Sequence, residues 1–283
     1  MQPPSKNAKK ITMVAIGDSV TANFYIASWW RMFLQMWFGK KESWFHKIAE
    51  RIGRDVPVVS YNFSSAGSQF ISRGISRIKD FLFHIESIEQ QVSRVLRLKR
   101  FPDMIVILAG HNELDWTKRN DSFQVIIAEF RTEYMSQLER LCKKAQKQTY
   151  PVSIVVFGLL NYRNIFDLRI VSKKAKQENP RLFPYYNHCY QKFASLLPEN
   201  REGTIELTDA IEGAIHAITQ ECESKYGSQS LRISYSDVFS QPSVDSLEYV
   251  TEFDAWHPSD KGQKRLADEA WDVIQEQRKF LSK

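Results

Sequence analysis

The sequence predicts an α/β fold, a three-layer α/β/α sandwich around a central, mostly parallel sheet of about five strands. Several short runs are β-branched and apolar on both faces, as strands covered by helices on each side must be. Between these runs, apolar residues recur at three- and four-residue spacing, which is typical of helices packed on a sheet. The 283 residues are 43% hydrophobic and 25% charged, which suits a globular chain with a large core.

The strands are expected where the apolar runs are continuous and short. The first four runs are rich in valine and isoleucine, and the fifth is less regular. The expected strands cover 11–16, 56–61, 104–108, 152–157 and 231–239.

The helices are expected in the segments between and after the strands. One apolar stripe extends from Ile75 to Leu96, and a second extends from Ile127 to Leu141. Ser259 is a typical N-cap for the last helix. The remaining helices are expected at 185–197, 208–226 and 259–280.

The chain shows no internal repeat and no low-complexity linker, so we predict a single domain over 1–283. Two stretches interrupt the α/β pattern. An aromatic-rich insertion is expected near 24–45, and an irregular excursion with clustered lysines is expected near 161–184.

Charge and composition exclude several classes of protein. The 39 basic and 33 acidic residues give a net charge of +6, which permits contact with an anionic surface. No nucleic-acid-binding motif is present, so we expect no nucleic acid partner. Three widely spaced cysteines predict no disulfide, and no histidine pair has ligand spacing, so no metal or other cofactor is expected. The sequence indicates no particular oligomeric state.

The N-terminal residues are polar, and no apolar segment with a cleavage site follows them. We therefore expect no signal peptide, and either a cytoplasmic protein or one exported by another route. The apolar stretch 24–38 is shorter than the ~20 residues of a membrane-spanning helix, so we expect no integral membrane protein.

Small and polar residues follow the predicted strands at the ends where ligands usually bind. Open α/β sheets bind ligands at the carboxyl edge of their strands. The clusters are Gly-Asp-Ser-Val-Thr at 17–21, Asn-Phe-Ser-Ser-Ala-Gly-Ser at 62–68, Gly-His-Asn-Glu at 110–113 and Asp-Ala-Trp-His-Pro at 254–258.

Together these clusters contain the groups that acyl transfer needs. A serine hydroxyl becomes a nucleophile when an imidazole takes its proton, and a carboxylate then orients that imidazole. Asp254 stands three residues before His257, within reach on a turn. A carboxamide such as that of Asn112 can stabilise an oxyanion, and Gly67 allows close approach of the backbone to a substrate.

The four clusters resemble the conserved blocks of the SGNH, or GDSL-type, serine hydrolases. Gly-Asp-Ser-x-Thr at 17–21, Gly67, Gly-x-Asn at 110–112 and Asp-x-x-His at 254–257 occur in the order of that family. The resemblance covers nearly the whole chain. It implies a flavodoxin-like fold and an ester hydrolase, and it favours this fold over the α/β-hydrolases, whose Gly-x-Ser-x-Gly elbow is absent.

The resemblance also implies a role for each residue of the site. Ser19 would be the nucleophile, His257 the general base, and Asp254 the carboxylate that orients His257. The backbone amides of Ser19 and Gly67 and the side chain of Asn112 would form the oxyanion hole.

The chain departs from the family pattern at two points. The third block usually reads Gly-x-Asn-Asp, and Glu113 replaces the last Asp at a position without a chemical role in the mechanism. The second block is the least defined, and Gly74 is a rival to Gly67. We prefer Gly67 because it follows its strand by only a few residues.

A finer resemblance concerns the substrate. Residues 17–24, followed by an aromatic-rich segment, are similar to the start of the catalytic region of acyloxyacyl hydrolases, which remove fatty acyl chains from lipids. We therefore expect Phe24, Trp29 and Trp30 to line a substrate pocket. His111 adjoins Asn112 in the sequence, so it would either line the same pocket or close the turn after its strand. The aromatic residues would otherwise pack in the core, or contact a lipid interface as a peripheral membrane surface.

Three functions remain open at this point. The first is a serine esterase or lipase that acts on an acyl ester of a lipid or another acylated substrate. The second is a carbohydrate O-deacetylase with the same catalytic residues. The third is a catalytically silent hydrolase-like protein that binds a membrane or another partner.

Overall fold

The computed structural model contains one five-stranded parallel sheet with the strand order β2-β1-β3-β4-β5. The described residues are 10–23, 43–70, 86–119, 121–178, 183–240, 246–251 and 254–282. The predicted three-layer α/β/α fold is confirmed. The strands are β1 (Ile11–Gly17), β2 (Val58–Asn62), β3 (Met104–Leu108), β4 (Val152–Phe157) and β5 (Leu231–Ser236).

The strand order places a topological switch point between β1 and β3. From β1 the chain first adds β2 on one side and then returns to add β3, β4 and β5 on the other. Gly17 at the end of β1 is in register with Leu108 at the end of β3. Ligands of doubly wound sheets bind in the crevice at such a point. The segments that follow β1 and β3 carry Ser19 and Asn112.

Helices cover both faces of the sheet. They are α1 (Trp44–Gly53), α2 (Ile88–Leu96), α3 (Phe123–Ala145), α4 (Tyr162–Gln177), α5 (Phe183–Lys192), α6 (Arg201–Tyr226) and α7 (Asp260–Leu281). Helices α1 and α7 pack together on one face, while α2, α3 and α6 cover the other. Among the described residues, no helix has the length and apolar character needed to cross a membrane.

The strand predictions agree with the structure to within three residues, whereas α6 begins seven residues before the predicted 208 and α5 ends five residues before the predicted 197. Strands β3 and β4 have the predicted bounds, and Ser259 caps α7 by accepting a hydrogen bond from the Gly262 N–H. Strand β2 begins two residues later than predicted, and β5 ends three residues earlier. The stripe predicted from Ile75 lies partly outside the described residues, and its described part is a helix capped by Ser87.

The irregular excursion predicted near 161–184 is wrong over 161–178, the part that the structure describes before the next helix. The Asn161 side chain accepts a hydrogen bond from the Arg163 N–H and starts α4, which continues to Gln177. Ile165 and Phe166 anchor this helix in the core. Basic and polar residues dominate the rest of the segment, so its apolar periodicity was too weak to predict a helix.

Helix α1 was not predicted: its first two residues fall in the aromatic-rich insertion expected near 24–45, and no helix was expected at 46–53. Ser43 caps α1 by accepting from the His46 N–H, and Trp44 is its first residue. Trp44 is fully buried and meets the rings of Phe157 and Phe239 edge-on, at centroid distances of 5.5 and 5.3 Å. The described end of the expected insertion, 43–45, therefore belongs to the hydrophobic core. Its remaining residues, 24–42, lie outside the described residues.

Candidate active site

A tight turn joins β1 to the residue expected to be the nucleophile. A Cβ atom on Gly17 would lie 2.4 Å from the carbonyl oxygen of Leu108 and 2.6 Å from Oγ1 of Thr21, so this position accepts only glycine. The Thr21 hydroxyl donates to the same Leu108 carbonyl at 3.2 Å. Close contact between the ends of β1 and β3 thereby fixes the start of the turn that carries Ser19.

The Asp18 carboxylate organises this turn from inside the protein. Its Oδ1 accepts from the Val20 N–H at 3.1 Å, which is the local bond of an Asx turn. Its Oδ2 lies 2.7 Å from Nδ1 of His111. The Leu160 N–H donates to Nε2 of His111 at 3.1 Å, so the ring proton of the neutral histidine is on Nδ1.

These bonds favour the turn role of His111 over substrate binding. The residue is 4% exposed, and both of its ring nitrogens are engaged with protein groups. The side chain connects the turns that follow β1, β3 and β4 at the carboxyl edge of the sheet. Its position beside Asn112 in the sequence is compatible with either role.

The structure brings together the side chains of Ser19, His257 and Asp254. Oγ of Ser19 lies 3.0 Å from Nε2 of His257, and Nδ1 of His257 lies 2.7 Å from Oδ2 of Asp254. All three residues are buried. This is the hydrogen-bonded chain of a hydroxyl, an imidazole and a carboxylate that serine hydrolases use.

A short antiparallel bridge holds the loop that carries Asp254 and His257. Val250 pairs with Pro258, and the Thr251 N–H donates to the His257 carbonyl at 2.8 Å. Ala255 has a φ of 50°, in the left-handed region. This conformation turns the chain so that the His257 ring folds back onto the carboxylate three residues earlier.

The Asp254 carboxylate is held ionised by its hydrogen bonds. Burial raises the pKa of Asp254, but the charge and hydrogen bond of His257 and the bonds from Thr251 and the Trp256 N–H outweigh it, so that the pKa is about 2. Its Oδ1 accepts from the Thr251 hydroxyl at 2.6 Å and from the N–H groups of Trp256 and His257 at 2.9 and 3.1 Å. The carboxylate therefore stays charged and fixed opposite Nδ1 of His257.

Two of the expected oxyanion donors, Gly67 and Asn112, lie on segments that are bonded to each other. Asn112 Nδ2 donates to the Ser68 carbonyl at 2.9 Å, and Gln69 Nε2 donates to the Asn112 carbonyl at 2.9 Å. Gly67 is exposed with a φ of 80°. Within the described residues, no backbone hydrogen bond uses the N–H of Ser19 or of Gly67. The rival Gly74 lies outside the described residues.

Glu113, the departure from the family pattern, has a structural function. Its carboxylate accepts from the Phe70 N–H at 2.6 Å, and the residue is buried. The bond ties the chain after Gly67 to the turn after β3. The longer side chain of Glu thus connects the two segments that carry Gly67 and Asn112.

Sequence reasoning missed several buried polar residues around the site. Arg169 on α4 donates to the Asp254 carbonyl at 2.9 Å, and Thr251 donates to the Asp254 carboxylate. Gln91 on α2 and Gln263 on α7 bond the backbone at the two ends of the nucleophile turn. Both glutamines interrupt an otherwise apolar helix stripe, and that interruption was the available signal.

The substrate-binding residues expected in the aromatic segment, Phe24, Trp29 and Trp30, lie outside the described residues. An open cavity of about 490 Å³ lies between α4 and α5, with Lys173, Tyr190 and Leu197 in its wall. Neither Ser19 nor His257 lines this cavity. We therefore do not assign it to the acyl chain of a substrate.

The fold and the site define a class, the serine hydrolases built on a flavodoxin-like α/β/α sandwich. The family model of GDSL-like lipases and acylhydrolases matches residues 13–270, and the chain belongs to this family. It is a carboxylic ester hydrolase. No curated protein matches the sequence.

Several solved structures share the fold at low sequence identity. A carbohydrate esterase with divergent catalytic and non-catalytic binding functions is 12% identical, with a TM-score of 0.56, over 96% of this chain and 70% of its own. A family two carbohydrate esterase from Clostridium thermocellum is 10% identical, with a TM-score of 0.54, over 99% and 66%. An acetyl-xylooligosaccharide esterase from Geobacillus is 12% identical, with a TM-score of 0.51, over 94% of each chain.

Proposed function

We propose that this ester hydrolase works through an acyl-enzyme on Ser19, with His257 as general base and Asp254 as the carboxylate that orients it. The observation that carries the proposal is the continuous chain from Oγ of Ser19 to Nε2 of His257 at 3.0 Å and from Nδ1 of His257 to Asp254 at 2.7 Å. Because Nδ1 donates to the carboxylate, Nε2 is the unprotonated nitrogen that faces the serine hydroxyl.

In acylation, Oγ of Ser19 attacks the ester carbonyl carbon while its proton passes to Nε2 of His257. The tetrahedral intermediate collapses when the bond to the leaving alkoxide breaks and His257 gives that oxygen the proton. In deacylation, a water molecule takes the place of the alcohol. His257 removes a proton from the water, and the acid product leaves as Ser19 regains its proton.

The oxyanion of each tetrahedral intermediate would be bound by three donors. These are the N–H of Ser19, the N–H of Gly67 and the side-chain amide of Asn112. Asn112 uses one hydrogen of Nδ2 for the Ser68 carbonyl, so the second is available for the oxyanion. Donors aimed at the developing charge are worth a factor of about 10²–10³ in kcat each.

We propose an ester of a lipid, or of another acylated molecule, as the substrate. The similarity of residues 17–24 to acyloxyacyl hydrolases and the aromatic segment that follows support a fatty acyl group. A carbohydrate O-deacetylase with the same catalytic residues is the second candidate. Its support is the similarity of the fold to three carbohydrate-active esterases.

Hydrolysis of p-nitrophenyl esters from acetate to palmitate tests both the chemistry and the substrate class. Highest kcat/KM on the long esters is expected, whereas activity confined to acetate would favour the O-deacetylase. Ser19→Ala should abolish hydrolysis and labelling by a fluorophosphonate. Ser153→Ala is the matched control. Ser153 is also a buried serine, but it lies near the N-terminal end of β4, at the edge of the sheet away from Ser19. Equal labelling of wild type and Ser19→Ala would refute the acyl-enzyme.

A further inference from the structure

The side chain of Gln91 is bonded to both backbone groups of Gly17. The Gly17 N–H donates to Oε1 of Gln91 at 2.9 Å, and Nε2 of Gln91 donates to the Gly17 carbonyl at 3.0 Å. Gln91 is fully buried on α2, between Ile88 and Val95 on the apolar face of the helix. This pair of bonds fixes the backbone two residues before Ser19.

The same carboxamide reaches the segment that carries the expected oxyanion donors. Nε2 of Gln91 donates to the hydroxyl of Ser68 at 2.8 Å. Ser68 directly follows Gly67, and its carbonyl accepts from Nδ2 of Asn112 at 2.9 Å. The Gln91 side chain therefore connects the nucleophile turn to Ser68, the residue next to Gly67. Ser68 in turn is bonded to the Asn112 side chain.

We propose that Gln91 is a positioning residue for ester hydrolysis, which sets the position of Ser19 relative to the oxyanion donors of Gly67 and Asn112. This inference rests on the proposed function of those three residues. Gln91 itself contacts no reacting atom in this scheme. It acts by holding two backbone segments in one geometry, and a misplacement of 1 Å at a reacting centre can cost about 10²-fold in rate.

The chemistry of this position favours positioning over simple packing. A carboxamide on an apolar helix face must keep its hydrogen bonds, because a buried polar group without partners is costly. An apolar side chain would fill the same space, but it could neither accept from the Gly17 N–H nor donate to the Gly17 carbonyl. The Gly17 carbonyl also accepts from the Ser65 N–H at 3.1 Å. A side chain that both donates and accepts is needed to bond the Gly17 N–H and the Ser68 hydroxyl at the same time.

A second buried glutamine provides the comparison. Gln263 on α7 donates to the Val20 carbonyl and accepts from the Trp44 N–H, at 2.9 and 2.8 Å. It holds the other end of the nucleophile turn from the opposite face of the sheet. Among the described residues, Gln263 has no hydrogen bond to the segment 67–69. We therefore expect Gln91 to couple nucleophile and oxyanion donors in a way that Gln263 does not.

The test is the kinetics of Gln91→Met on the best p-nitrophenyl ester, with Gln277→Met as the matched control. Gln277 is an equally buried helix glutamine that accepts from the Ser153 hydroxyl, at the end of β4 away from the site. For Gln91→Met we expect kcat to fall about 10- to 100-fold with KM changed less than about threefold. Gln277→Met should keep kcat within about twofold at a similar loss of thermal stability.

Two further variants separate positioning from folding. Ser68→Ala removes one link of the chain and should lower kcat in the same direction, and its effect should not add to that of Gln91→Met. Gln91→Glu keeps the acceptor for the Gly17 N–H but cannot donate to Ser68 when ionised, so it should fail to restore kcat. Full kcat in Gln91→Met, or losses equal to those of Gln277→Met, would overturn the proposal.

Amide hydrogen exchange provides a measurement that does not depend on activity. In Gln91→Met, peptides that cover 17–22 and 65–69 should exchange faster than in wild type, while Gln277→Met should leave both unchanged. Unchanged exchange at both segments in Gln91→Met would contradict the positioning role. If the wild-type protein hydrolyses no ester and Ser19 is not labelled, the proposed function fails, and the exchange result still decides whether Gln91 couples the two segments.

Discussion

The carboxylate of Asp18 accepts hydrogen bonds from both the backbone N–H and Nδ1 of His111, at 3.2 and 2.7 Å. Asp18 and His111 are buried, and they follow two neighbouring strands, β1 and β3. The site thus contains a second carboxylate–imidazole pair beside the one formed by Asp254 and His257. Because Asp18 adjoins Ser19, the second pair fixes the nucleophile turn to the turn that carries Asn112.

Replacing His111 should therefore destabilise the protein. In His111→Ala the buried Asp18 carboxylate loses a side-chain donor, and the Leu160 N–H loses its acceptor. We expect a loss of about 3 kcal/mol in the free energy of unfolding, measured by urea denaturation. His216→Ala is the control, since His216 is exposed on α6, and its loss should stay below about 1 kcal/mol. Similar losses in the two variants would argue against the Asp18–His111 bond as a structural link.

The oxyanion function of Asn112 predicts a selective loss of turnover. Asn112→Ala removes the side-chain amide from the proposed hole, so kcat on a p-nitrophenyl ester should fall about 10²–10³-fold with a small change in KM. Asn200→Ala is the matched control, because Asn200 is a half-buried asparagine whose side chain donates to the Ala194 carbonyl, at the start of α6. An increase in KM at unchanged kcat would assign Asn112 to substrate binding instead.

The lowered pKa of Asp254 predicts how stability depends on pH. The pKa falls from 3.8 to about 2 on folding, so the folded state holds the ionised carboxylate more tightly than the unfolded chain does. The resulting stabilisation is complete above about pH 5 and is lost as the pH falls through about 4 towards 2. The advantage of wild type over Asp254→Asn in unfolding free energy should shrink by about 2 kcal/mol between pH 6 and pH 2. Urea titrations at fixed pH values measure this, and a pH-independent difference would contradict a carboxylate held ionised.

The fold was predictable because parallel strands buried on both faces leave a strong local pattern. Strands β3 and β4 are continuous apolar runs, and their bounds agree with the prediction. Helix α4 was missed because its polar face is long and its burial depends on a few residues such as Ile165 and Phe166. The apolar periodicity of a sequence is weak where only a few buried side chains hold the helix against the rest of the protein.

The site residues were predictable to the extent that they lie in short motifs. The three catalytic candidates come together from positions up to 238 residues apart. The motif of Ser19 directly follows β1, and the motif of Asp254 and His257 directly precedes the last helix. The function of His111 stayed open between pocket and turn, since the sequence shows that it adjoins Asn112 but not that its ring is bonded to Asp18. Gln91 and Gln263 were missed for a related reason, because their partners are backbone groups far away in the sequence.

The burial of Trp44 predicts that one residue of the aromatic-rich region is needed for folding. Its indole is fully buried at the start of α1 between α7 and the sheet, against Phe157 and Phe239. Trp44→Ala leaves a large cavity, so we expect a loss of about 3–5 kcal/mol in the free energy of unfolding and a fall of about 10 °C in Tm. Trp271→Ala on α7 is the control, because Trp271 is half-buried and part of its ring faces Arg51. A loss for Trp44→Ala no larger than that of the control would contradict a core position, and thermal denaturation followed by circular dichroism measures both.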